Sequence, residues 1–310
     1  MIRENGLPAR AKPGDVAVDG KRPSVTAQSI CLATVTTDSY LPGTLVTLHS
    51  FLATNPWFHG DIKVITDGLS DESRRRLALV HPGIGYFAVG RELLDRVADV
   101  AREHPEFAQQ GARFFSLEAF RLTGYDRVLL IDSDLLFRGS IEELLARPEP
   151  LVACGDAAWY SGERRAWLPR QGEHRPFNSG LVLAGRSCVT EATYESLVGF
   201  VSAKNYRSPH MKLADQIVLN IHFAGQAAIA ESRFNYLLAH QRKIRERDGT
   251  RMEQALVLHY NGRDKPWNLD GVIKVAMLQP GFVKACALWY DAWMRCLTGM
   301  HMRARLPPRD

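Results

Sequence analysis

Two aspartates two residues apart, in Asp132-Ser133-Asp134, stand directly after the apolar run Val128-Leu129-Leu130-Ile131. At a strand terminus, side chains two residues apart point to the same side, so both carboxylates can hold one divalent cation. Alternatively one holds the cation and the other binds a ligand hydroxyl. Hard oxygen donors favour Mg²⁺ or Mn²⁺. The tripeptide is short, and a pair of solvated turn residues has the same pattern. His259 also closes an apolar run, Leu256-Val257-Leu258, where a lone imidazole is ordinarily a packed residue. Its C-terminal neighbours shift the balance. Gly262 permits close backbone approach to a phosphate, Lys265 adds a point charge, and Pro266-Trp267 stiffens the loop. The segment has the make-up of an anion-binding loop with a nitrogen metal ligand at its base.

Such residues need elements to carry them. Ile30-Cys31-Leu32-Ala33-Thr34-Val35 predicts a buried strand ending at polar Thr36-Thr37-Asp38, after which Pro42-Gly43 turns the chain. Residues 44–52 have helical spacing and residues 62–66 read as a second strand, which makes a βαβ opening. Ser70-Asp71-Glu72 has the form of an N-cap with acidic first-turn residues, and 91–103 is amphipathic. A helix is expected over 114–122, then strands at 127–131, 151–154, 181–184 and 255–259, with helices at 190–203 and 214–223. This alternation argues for an α/β fold, a mixed and mostly parallel sheet covered by helices, without internal repeats. In such sheets the ligand crevice lies at the carboxyl ends of the strands, where 36–38, 132–134 and 259–262 all fall.

The chain has 310 residues, with 45% hydrophobic and 24% charged, so wholesale disorder is excluded. Its 39 basic and 34 acidic residues leave a net charge of +5, spread along the chain, which does not make a nucleic-acid binder. Five scattered cysteines without a C-x-x-C pair suggest neither a disulfide framework nor structural zinc, and fit a reducing cytoplasm. No run of 18 apolar residues and no Sec-type signal is seen, so a cytoplasmic protein is expected. Residues 1–28, rich in Pro, Gly and charge, predict a flexible tail; 29–280 form the expected catalytic domain.

Taken together, His259-Tyr260-Asn261-Gly262-Arg263-Asp264-Lys265-Pro266-Trp267 resembles the H-x-x-G-x-x-K-P-W signature of glycosyltransferase family 8, the glycogenin and bacterial galactosyltransferase group. Three further segments agree in order: Thr36-Thr37-Asp38-Ser39-Tyr40 with Pro42-Gly43; Tyr125 to the D-x-D of Asp132 and Asp134; and Phe177-Asn178-Ser179-Gly180 with Ala214-Asp215-Gln216. The resemblance covers roughly residues 29–270. It implies a GT-A fold with a single Rossmann-like nucleotide-binding domain, a UDP-sugar donor, and Mn²⁺-dependent transfer of glucose or galactose with retention, Mg²⁺ being the alternative metal. By position it assigns Asp132, Asp134 and His259 to the metal. Thr36, Thr37, Asp38 and Tyr40 would surround the uridine, with Tyr40 stacking on the base, and Ser133, Gly262 and Lys265 would meet the diphosphate. Asn178, Ser179, Asp215 and Gln216 would surround the donor sugar, with Asp215, Gln216 and Asn178 nearest the chemistry. The chain departs from the family twice. Ser116 stands where a Lys or Arg is usual, with Arg113 three residues earlier as a substitute donor-sugar contact. Lys212 replaces an acid of the glycogenin branch, which argues against self-glucosylation of a tyrosine. Asp215 is the family-matched nucleophile for a covalent route; same-face attack, with Asp215 orienting the sugar, is the favoured alternative.

Residues 159–177 hold Trp159, Tyr160, Trp167 and several arginines, suited either to stacking on an acceptor glycan or glycolipid or to packing among themselves. The basic run 240–251 reads as a solvated face, a lid or an anionic acceptor site. Residues 281–310 predict an amphipathic helix and basic tail, its apolar stripe read as Val283, Cys286, Tyr290, Trp293, Leu297 and Met300. Packing on the catalytic domain or in a homodimer is the ordinary use of that stripe; peripheral contact with an anionic membrane is the other. Two rival functions remain. A haloacid-dehalogenase-like phosphatase also places D-x-D after an apolar strand, but expects Thr where Leu136 stands and puts the motif at the start of its domain. A nucleotide-sugar-binding protein without turnover would retain the same site.

Overall fold

The computed structural model describes residues 28–163, 175–206, 213–276 and 280–305. The expected tail, apart from Gln28, lies outside these residues, as do Trp167 and Lys212. In chain order the elements begin β1 (Ile30–Val35), α1 (Leu41–Thr54), β2 (Asp61–Thr66), α2 (Asp71–Val80), β3 (Ile84–Ala88) and α3 (Arg91–Glu103). A 3₁₀ helix, Gly111–Arg121, leads to β4 (Arg127–Ile131), β5 (Leu135–Phe137), α4 (Glu142–Leu145), β6 (Leu151–Gly155) and α5 (Ala157–Ser161). After β7 (Phe177–Gly185) come α6 (Glu191–Phe200), α7 (Asp215–His222), β8 (Ala228–Ala230), β9 (Tyr236–Leu237), α8 (Gln241–Asp248), β10 (Val257–His259), α9 (Leu269–Ala276) and α10 (Pro280–Ala304).

Seven strands form one sheet in the order β3-β2-β1-β4-β7-β6-β8. Every neighbouring pair is parallel except the two that involve β7, so one reversed strand makes the expected mostly parallel sheet mixed. Alternation along β1 explains the layers: Cys31 and Ala33 face a core with Phe114, Phe120 and Leu197, while Ile30 and Leu32 face one with Leu45, Leu48 and Phe51. The chain leaves this sheet at Ile131, passes through Asp132-Ser133-Asp134, and enters a second sheet, β5-β10-β9, at Leu135. The D-x-D is thus the junction of two sheets. In the second sheet β10 runs antiparallel to β5 with His259 opposite Leu135, which sets the imidazole beside Asp134.

Three local expectations change. Pro42-Gly43 does not turn the chain but lies in the first turn of α1, where a missing N–H is no loss. A Cβ on Gly43 would collide with the Ser133 carbonyl and the Trp267 ring, so glycine lets α1 press against the D-x-D loop. The expected helix over 114–122 is part of the 3₁₀ segment. On α10 the buried stripe is Phe282, Ala285, Cys286, Trp289, Ala292, Cys296 and Met300, whereas Val283 and Leu297 are exposed. The stripe is rotated toward Trp289, which packs between Trp267 and Trp293 and so faces inward. No described helix is long and apolar enough to cross a membrane.

Candidate active site

A cavity of about 670 Å³ opens at the carboxyl ends of β1 and β4. Its lining includes Thr36, Thr37 and Tyr40, supplied by the end of β1 and a 3₁₀ turn, Asp38–Tyr40. Asp132, Ser133, Asp134, His259, Gly262 and Lys265 line it as well, with Lys265 Nζ 5.9 Å from the centre of the Tyr40 ring. Arg113, Ser116, Asn178, Ser179, Asp215 and Gln216 line the same cavity. Asp38 stands aside: its carboxylate accepts from the backbone N–H and hydroxyl of Ser70 and from Ser73 Oγ at 2.5 Å, tying the 3₁₀ turn to the start of α2. Those bonds hold its carboxyl below the usual range. Tyr40 keeps 36% exposure, with its ring edge-on to Trp267 at 5.6 Å.

Asp132, Asp134 and His259 each offer a ligand atom, and these atoms lie within 4.8 Å of one another. His259 Nε2 is 3.4 Å from Asp132 Oδ2 and 3.2 Å from Asp134 Oδ1. Oδ1 of Asp134 is buried without a hydrogen-bond partner, and on the other oxygen Asp134 accepts from Lys265 Nζ. Gly180, whose carbonyl accepts from the Asp132 N–H, is part of the cradle, because a Cβ there would run into both His259 and Asp132. A buried, unpartnered carboxylate oxygen facing a ring nitrogen and a second carboxylate suits a hard or borderline divalent cation such as Mn²⁺ or Mg²⁺.

Electrostatics separate the three acids. Burial pushes Asp134 up, but the positive charge facing it, Lys265 foremost, more than offsets this and holds the carboxyl below its usual range. Asp132 is raised by desolvation and then by the Asp134 charge. Asp215, 6% exposed at the start of α7, is pushed up to about 7 by burial and the Asp132 charge, against the pull of Ser116 and Arg113. Ser116 Oγ donates to Asp215 Oδ2 at 2.9 Å. In a 3₁₀ helix residues three apart eclipse, so Arg113 lies over Ser116 and lines the same cavity. Ala214, just before Asp215, has φ +46°, a left-handed conformation that costs a non-glycine residue about 1–3 kcal/mol and commonly marks a functional site.

A family model described as Glycosyl transferase family 8 matches residues 31–271. The chain belongs to glycosyltransferase family 8. Glycosyltransferase GlyF of Streptococcus pneumoniae serotype 4 is 24% identical over 172 residues, covering 54% of this chain and 40% of GlyF, so the chain spans well under two thirds of that relative. Among solved structures it is similar to the galactosyltransferase LgtC, solved with donor and acceptor sugar analogues, at a TM-score of 0.62 and 21% identity over 89% of this chain and 97% of LgtC. The glycosyltransferase GlyE of Streptococcus pneumoniae TIGR4 gives 0.56 at 18% identity over 91% of this chain and 66% of GlyE. At these identities the likeness concerns the fold, which is GT-A. Family membership overturns the phosphatase alternative.

Within this family 8 glycosyltransferase, two participants have no sequence signature. Asp156 caps α5 through backbone N–H groups of Ala158 and Trp159 and lines the cavity; a lone acid before Ala157-Ala158 is its only trace. Asn235, fully buried beside His259, comes after Arg233-Phe234 without any pattern. The basic run 240–251 is largely the helix α8, with Lys243 paired to Glu163 and Arg247 over the Trp159 ring.

Proposed function

We propose that this glycosyltransferase moves a hexose, glucose or galactose, from a UDP-sugar to a glycan or glycolipid acceptor with retention of configuration, Mn²⁺ being held by Asp132, Asp134 and His259. The observation that carries the reading is the cluster of these three ligands with Lys265, in one cavity that Tyr40 and Asp215 also line. When bound, the metal neutralises charge on the departing diphosphate. Lys265, 7% exposed and anchored by Asp134 and the Tyr260 carbonyl, adds a fixed positive charge where negative charge grows. Gly262, at φ +108°, lets the loop backbone approach the same oxygens. Thr36, Thr37 and Tyr40 receive the uridine, with Ser133 beside the diphosphate.

Arg113, Asn178, Ser179, Asp215 and Gln216 hold the hexose. Arg113 replaces the family's usual basic residue from one 3₁₀ turn away. Asp215, buried and already accepting from the Ser116 hydroxyl, orients the donor by a hydrogen bond to a sugar hydroxyl while the acceptor attacks from the same face as the departing diphosphate. A donor screen with Mn²⁺, measuring UDP release with and without cell extract, tests the reading. Asp134→Ala should abolish release; unchanged release refutes its role. Tight UDP-hexose binding by the wild type without release under any acceptor favours a binding protein without turnover.

A further inference from the structure

The two ring nitrogens of His259 face different partners. Nε2 faces the carboxylates, and Nδ1 lies 3.0 Å from Asn235 Oδ1. Asn235 Nδ2 donates to Asn178 Oδ1 at 2.8 Å, Asn178 Nδ2 to Gln216 Oε1 at 2.9 Å, and Gln216 Nε2 to Asp156 Oδ2 at 3.4 Å. The direction of this chain is decided by groups that cannot flip. The Gly180 backbone N–H donates to Asn178 Oδ1 at 3.0 Å, and the Ser179 N–H to Gln216 Oε1 at 3.4 Å. A backbone N–H only donates, so both contacted atoms are oxygens; a carboxylate at the far end demands an N–H from Gln216. With the Asn178 oxygen fixed, Asn235 must turn its NH₂ toward it and its oxygen toward His259. An amide oxygen only accepts, so the ring proton sits on Nδ1 and the Nε2 lone pair is left facing Asp132 and Asp134. Nε2 and Asp134 Oδ1 are then two acceptors 3.2 Å apart, an arrangement that a cation relieves.

We propose that Asn235 is a positioning residue that fixes His259 as the Nδ1–H tautomer and thereby presents Nε2 as a metal ligand. The inference rests on the metal role given to His259 above, and the test separates the two. Mn²⁺ affinity is measured on the nucleotide-free full chain by electron paramagnetic resonance for the wild type, His259→Ala, Asn235→Leu and Asn235→Asp. Asn235→Leu keeps the side-chain outline without an acceptor, so the imidazole is free to turn its proton toward Asp134; affinity should fall about 10- to 100-fold. Asn235→Asp, neutral in its buried site, gives its carboxyl proton to Asn178 Oδ1, still accepts from Nδ1–H on its other oxygen and should bind Mn²⁺ within about threefold of the wild type, a rescue that loss of a buried amide alone does not give. Wild-type affinity in Asn235→Leu overturns the inference. So does an Asn235→Asp loss as deep as that of His259→Ala, and this second variant decides the matter alone if Asn235→Leu does not fold. Wild-type affinity in His259→Ala instead sinks the metal reading itself.

Discussion

Asp215→Asn should make the metal-free protein more stable, and increasingly so as pH rises. An unfolded aspartate titrates near 3.9, whereas folded Asp215 titrates at about 7. Below the lower value both states are protonated and the group is neutral toward folding. Between the two values the folded state keeps a proton that the unfolded state has released, so each unit of rising pH removes about 1.4 kcal/mol of stability. Above about 7 the loss is complete, at about 4 kcal/mol in total. Asparagine escapes this loss and keeps an oxygen for the hydroxyl of Ser116, which donates at 2.9 Å. Thermal or urea melts of both proteins in EDTA, from pH 5 to pH 9, read the difference. The variant should gain about 2–3 kcal/mol on the wild type between pH 5 and pH 8 and then hold level. A gap that does not change with pH, or that narrows as pH rises, refutes the argument that burial and Asp132 keep Asp215 protonated.

Two further changes act on the cluster directly. Gly180→Ala places a methyl against His259 and Asp132, an overpacking of about 1–3 kcal/mol, and should weaken Mn²⁺ binding about 10- to 100-fold by calorimetry. Lys265→Met leaves the buried Asp134 charge without its cationic partner; melting of the metal-free protein should show a loss of about 3–5 kcal/mol, with UDP affinity falling in parallel.

What could be read from the chain were the residues whose chemistry is written locally. The D-x-D after an apolar strand and the run from His259 to Trp267 each carry their own context, and the structure sets both against one cavity. The residues that escaped depend on register or on distant partners. Asn235 meets His259 only because β9 pairs with β10, and two-residue β9 leaves no periodic trace. Asp38 is read as a nucleotide contact, and the bonds that tie its carboxylate to Ser70 and Ser73, more than thirty positions on, leave no local trace in the sequence. The reversed strand β7 begins at Phe177, four residues before its apolar run, because Asn178 and Ser179 form the cavity wall there instead of a hydrophobic face. On α10 an apolar stripe can be drawn along more than one face, and only the pocket occupied by Trp289 chooses between them.

On the function proposed here, Asp132, Asp134 and His259 share one divalent ion beneath a nucleotide diphosphate. Crystals grown with Mn²⁺ and UDP, measured for anomalous scattering at the manganese edge, address it most directly. A single peak is expected, in contact with both carboxylates and His259 Nε2, with Lys265 alongside the diphosphate. A manganese peak held by the diphosphate alone, with the imidazole outside its coordination sphere, would contradict it.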